Sequence, residues 1–158
     1  MTDQERAVLI REIRKETGII VSDDRRGMET LIGYLAETIP AEILELAESK
    51  VDMFSTYSMR ESGVPVDGST TWTHNTAAGR MLYAVGIAEE GIAQGREYTA
   101  FLWLHELCHV LCGRGEDHTP LYHAMLDQLL LITNEATGED IQNDYQGLCP
   151  AQSHFPAP

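Results

Sequence analysis

Phe101-Leu102-Trp103-Leu104-His105-Glu106-Leu107-Cys108-His109-Val110-Leu111 sets an H-E-x-x-H motif inside an apolar run. Read as a helix, it places His105 and His109 one turn apart on the same face. Two imidazoles so placed can hold one Zn²⁺ from one side. Glu106 falls about 100° around the helix from His105. That puts a carboxylate beside the metal rather than on it, where it can take a proton from a metal-activated water. The helical wheel puts Trp103, Leu104, Leu107, Val110 and Leu111 on one side and His105, His109 and Cys112 on the other. The expectation is a helix buried on its back, with a polar face for the ligands. The plain alternative is an amphipathic helix carrying two ordinary histidines.

A catalytic zinc takes three protein ligands and keeps one open position, so the chain must turn back soon after His109. Gly113-Arg114-Gly115 supplies a helix stop. His118 follows, and Thr119-Pro120 then suits the opening of a new helix. Leu121 to Thr133 reads as that helix, with Leu121, Met125, Leu129 and Ile132 as its apolar stripe. His118 is therefore the expected third ligand. Cys112, one turn past His109, is a rival, since thiolate also binds Zn²⁺. Glu116 and Asp117 flank His118 and can ligate through oxygen, orient a histidine ring from one shell out, or simply be solvated. His123 reads as an exposed residue on the second helix. His74 reads as part of a loop and His154 as part of a tail.

Outward from this centre, 158 residues suffice for one domain with a real core. We expect it over 1–146, with 147–158 as a C-terminal loop or tail. Hydrophobic content of 43% fits a globular protein. No apolar run approaches the roughly 20 residues of a membrane span. Met1 to Arg6 is polar and lacks the basic-then-apolar layout of a signal peptide, so a cytoplasmic location is expected. Three cysteines, two at helical spacing, do not look like a disulfide framework. The net charge is −14, and six of the eleven Lys and Arg lie within the first 26 residues. That balance disfavours a broad nucleic-acid surface.

Asp3 to Thr17 reads as a helix stopped by Gly18, and Gly18 to Ser22 as a short strand. Met28 to Ile39 is helical, Pro40 interrupts it, and Ala41 to Ser49 resumes. Val51 to Met59 and Ser69 to His74 look extended, with Gly63, Pro65 and Gly68 marking the loop between them. Arg80 to Glu89 reads as a strand leading to the motif helix. In the zincin metallopeptidases, which the motif resembles, the strand at this point often forms the upper edge of the cleft, to which an extended peptide can add by backbone pairing. Gly86 would permit close approach there, or be an ordinary bulge.

From Tyr98 to about Leu131 the chain resembles the zincin metallopeptidases. The nearest patterns are those of the SprT-like and WLM-type families and of small phage or mobile-element metallohydrolases. Their second segment reads H-G-P-x-[FYW]; here it is His118-Thr119-Pro120-Leu121-Tyr122, with Thr119 in the place of Gly. The resemblance implies an α+β, zincin-like single domain, with a small mixed or antiparallel sheet packed on helices. It implies Zn²⁺ on His105, His109 and His118, Glu106 as general base, and a peptide or protein substrate. The SprT-like crosslink proteases rely on DNA contacts, and the basic or zinc-ribbon extension that makes them has no counterpart here. Eight residues lie between His109 and His118, more than in the metzincin motif, whose Gly position holds Cys112. Two other classes stay open. One is a metal-dependent endoribonuclease-like hydrolase, although that family has Gly at the position of Glu106. The other is a non-catalytic zinc-binding interaction domain.

Overall fold

Capping residues cut the N-terminal third into three helices, the second opening at Arg25, ahead of the expected Met28. The structure is a computed structural model describing residues 1–75, 79–113 and 118–143. Helix α1 (Asp3–Thr17) opens on a capping box between Thr2 and Glu5 and closes on Gly18 at φ 81°. Asp24 caps α2 (Arg25–Thr38) by accepting from Arg26 N. Pro40 then opens α3 (Ala41–Lys50). Leu31, Leu35, Ile39, Ile43 and Ala47 form the shared buried face of α2 and α3.

Three strands follow: β1 (Met53–Tyr57), β2 (Gly68–Asn75) and β3 (Arg80–Ala88), with the short α4 (Met59–Ser62) after β1. Another short helix, α5 (Glu89–Ile92), leads from β3 to α6 (Arg96–Cys112), and α7 (Pro120–Thr137) ends the described elements. The sheet order is β1-β3-β2, with β3 parallel to β1 and antiparallel to β2. This is an α+β fold on a small mixed sheet. Alternation along β3 sends Leu82, Ala84 and Ala88 to the core shared with α1, and Val85 and Ile87 to the core shared with α2, α6 and α7. Gly18 to Ser22 makes only an isolated bridge, Val21 to Tyr57, instead of a strand.

Three expectations are corrected. First, β3 is the central strand, paired on both sides, so it cannot be an edge that receives a peptide. Among the described residues the edges are β1 and β2, and β2 is the one bonded to α6. Second, α6 is buried on its polar face as well as on its back: every residue from Thr99 to Val110 is buried. Helices α2, α3 and α7 and the sheet enclose it, so its polar side chains are interior groups. Third, α7 is rotated from the expected stripe. Tyr122, Leu126, Leu129, Leu130 and Thr133 face inward, while Leu121 and Ile132 are 54% and 45% exposed. Apolar residues stand on both candidate faces, so periodicity alone could not choose between them. No helix among the described residues is long and apolar enough to cross a membrane. The expected tail, 147–158, lies outside the described residues.

Gly86 is not a point of close approach either. A Cβ there would meet the Ser55 hydroxyl and the Tyr57 ring at 3.4 Å, on the α1 side of the sheet. Gly86→Ala is thus expected to change stability by no more than about 1 kcal/mol, since the space exists and the unfolded chain loses freedom. Thermal unfolding checks this; a loss beyond about 2 kcal/mol would mean that the strand cannot yield those few tenths of an ångström.

Candidate metal centre

Helix α6 delivers His105 and His109 one turn apart, their ring centroids separated by 5.3 Å. The helix stops at Gly113, φ 89°, in a conformation that L-residues rarely adopt. His118 sits at φ 57°, the only non-glycine residue with positive φ among those described. A left-handed non-glycine backbone costs roughly 1–2 kcal/mol and here aims the chain back at α6. Thr119 then caps α7 by accepting from Tyr122 N at 3.3 Å, with Pro120 at the first helical position. His118 is brought to 5.3 Å from the His105 ring and 5.0 Å from the His109 ring.

One ligand atom from each of the three histidines lies within 4.8 Å of the others. Tetrahedral Zn–N bonds of about 2.0–2.1 Å would space three nitrogens about 3.4 Å apart. Binding one ion would draw these atoms closer together. His105 and His109 are buried and His118 is half-buried. The group can hold a metal ion; imidazole donors suit zinc, copper, iron and nickel alike.

Tyr122 forms the floor. Its ring lies 4.4 Å from that of His109 and edge-on to those of His105 and His118. Its hydroxyl donates to His105 O at 2.9 Å. One fully buried side chain thus joins the start of α7 to the ligand turn of α6. The sequence offered Tyr122 only as packing; its place under the rings follows from the rotation of α7.

Glu106 is 2% exposed, and its Oε2 lies 3.8 Å from His105 Nε2. The opposite oxygen, Oε1, accepts from Thr70 Oγ1 of β2 at 2.8 Å, and the same hydroxyl is 3.0 Å from Glu106 O. A Cβ on Gly68 would stand 2.9 Å from Glu106 Oε2 and 3.1 Å from its Cγ. Asp67, also buried, accepts from Tyr98 OH of α6 at 2.5 Å. Tyr57 donates to Val66 O at 2.6 Å. Burial, and then the carboxylates of Glu106, Asp67 and Glu90, hold Tyr57 well above the usual phenol range. It stays a neutral hydroxyl. Gly68 and Thr70 escaped the sequence reading because strand-to-helix contacts leave no periodic trace.

The other expected residues separate cleanly. Cys112 is half-buried, its Sγ 4.0 Å from that of Cys108, and it stands outside the histidine group. Burial, followed by proximity to Cys112, pushes the Cys108 thiol far above its ordinary range, so it is a neutral packing group. His123 is half-buried with its ring 6.3 Å from that of His118, and it too is outside the group. His74 belongs to β2 rather than to a loop. Glu116, Asp117 and His154 lie outside the described residues.

An open recess of about 180 Å³ is lined by Glu97, Tyr98, Phe101 and Gln142. The Phe101 ring lies 5.9 Å from that of His105. Comparison of the chain with protein-family models, with curated proteins and with solved structures yields no match in any of the three.

Proposed function

We propose that this chain is a zinc-dependent metallopeptidase of zincin type, with His105, His109 and His118 as ligands and Glu106 as general base. The observation that carries the reading is a carboxylate, almost wholly buried, lying beside three convergent imidazoles but outside their ligand set. A purely structural zinc site closes with four ligands and has no use for a base. When bound, Zn²⁺ lowers the pKa of a water toward neutrality and polarises a carbonyl.

The chain's own residues do the rest. Glu106 takes up a proton at Oε2, the oxygen on the His105 side, and returns it to the leaving amine. Thr70 holds the opposite oxygen, so the proton-carrying oxygen keeps one orientation. Strand β2, an edge of the described sheet alongside α6, is the element to which an extended peptide can align. The recess at Tyr98 and Phe101 offers room for a side chain of that peptide. A charge of −14 and an intact Glu106 favour peptide over nucleic-acid hydrolysis.

Quenched-fluorescence peptide libraries and an unfolded protein substrate test this directly. Zinc-loaded protein is expected to cleave, to stop when a chelator strips the metal, and to resume when Zn²⁺ is restored. Protein carrying one zinc per chain that cleaves neither substrate class would overturn the assignment.

A further inference from the structure

We propose that strand β2 is the positioning element of the general base, with Gly68 and Thr70 together fixing the Glu106 carboxylate in a single place. The catalytic part of this inference rests on the peptidase reading; the structural part does not. A glutamate on a helix has three rotatable bonds and carries up to about 2 kcal/mol of rotamer freedom. Within the H-E-x-x-H motif, His105 Nε2 stands 3.8 Å from Oε2. Proton transfer needs the acceptor oxygen held within about 0.5 Å, which asks for further restraint.

It comes from two residues spaced by two on one strand, which therefore face the same side of the sheet. Thr70 supplies a directed contact. Its single hydroxyl proton faces two acceptors, Oε1 at 2.8 Å and the Glu106 backbone oxygen at 3.0 Å. The nearer and more highly charged acceptor is the carboxylate, where the bond is strongest. Being β-branched, Thr70 has restricted χ1 freedom, so its hydroxyl is a fixed post.

Gly68 supplies the opposing wall. Its φ is not in the positive range, so no backbone conformation demands glycine there. What demands it is the side chain of Glu106, which occupies the space of a Cβ at 2.9 Å from Oε2 and 3.2 Å from Cδ. One carboxylate oxygen thus fills the space a Cβ on Gly68 would need, and the other accepts from Thr70. Both residues are paired in register with the central strand, Gly68 with Ile87 and Thr70 with Val85. The base is therefore referenced to the sheet while its metal ligands are referenced to the helices. Tyr98, bonded to Asp67, ties the start of β2 to the N-terminal half of α6 and fixes the register of strand against helix.

A merely structural Thr70 and a positioning Thr70 predict different orders among variants. Thr70→Val keeps the shape and removes the hydroxyl; Thr70→Ser keeps the hydroxyl and removes the methyl. If Thr70 only packs, stability and activity both follow the methyl group. If it positions, kcat falls at least about tenfold in Thr70→Val with KM and zinc content nearly unchanged, and Thr70→Ser restores it to within about threefold. Gly68→Ala is expected to behave like Thr70→Val, by pushing the carboxylate aside.

Crystal structures of the zinc-loaded wild type and these three variants give the readout that does not need turnover. A Glu106 carboxylate displaced or split in Thr70→Val and Gly68→Ala, yet in place in Thr70→Ser, supports the proposal. An unmoved carboxylate in all three variants overturns it, whatever the activity. If the carboxylate moves as expected but the wild type cleaves no peptide, the positioning stands and the peptidase reading fails.

Discussion

Glu106→Gln is expected to keep one zinc per chain and lose turnover by about a hundredfold to ten-thousandfold, the range for a positioned acid–base group. The substitution is nearly isosteric, and the Thr70 hydroxyl can donate to the amide oxygen as it does to Oε1. What changes is the other terminal atom, on the His105 side. There an oxygen able to accept a proton becomes an NH₂ that cannot. The three imidazoles keep their donors, so metal content should not fall. Replacing a buried carboxylate by a neutral amide removes a desolvated charge, so the melting temperature should hold or rise. Zinc by elemental analysis, kcat on a cleaved peptide and thermal unfolding, taken together, check all three parts. Full activity in this variant would remove Glu106 from the mechanism.

The second large effect is expected at His118. Two imidazoles on one helical turn bind zinc far more weakly than three. His118→Ala should lower affinity by more than about a hundredfold, beyond what losing an outer-shell partner does. A ligand present at a hundred times its Kd stabilises the fold by about 2.7 kcal/mol. The wild type should therefore melt higher on zinc addition, and the variant should not. His118 also has a positive φ, where alanine pays a backbone penalty unrelated to metal. His118→Asn separates the two, because asparagine tolerates the left-handed region. If Asn restores stability without zinc and still fails to bind zinc, the loss belongs to the ligand. Full zinc retained in both variants would move the third ligand to Cys112, Glu116 or Asp117.

What the sequence revealed was whatever is encoded locally. Gly18 and Pro40 mark helix boundaries through chemistry that acts within a few residues, whereas the cap at Asp24 went unread and α2 opens at Arg25 instead of Met28. The spacing of His105 and His109, the stop at Gly113 and the start at Pro120 likewise place His118 where the structure gathers it. Longer-range facts left no such mark. A wheel showing histidines opposite leucine reads as amphipathic, yet α6 is buried on that face too, where Glu106 and Tyr98 bond to Thr70 and Asp67. The inward face of α7 was hidden because leucines and isoleucines occupy both candidate stripes. The central place of β3 depends on pairing across many residues, and that same pairing moved the role of close approach from Gly86 to Gly68.

On the proposed reading, holding the ligands on α6 and the turn before α7, and the carboxylate's restraints on a strand, gives the site two independent points of failure. A lesion in β2 can leave the ion seated and the fold intact while the proton has nowhere useful to go. Metal content would then certify a silent protein as sound. By the same separation, another ion with similar coordination can be exchanged into the three imidazoles without rebuilding the support of the base, so the metal's acidity and the carboxylate's aim can be tuned one at a time.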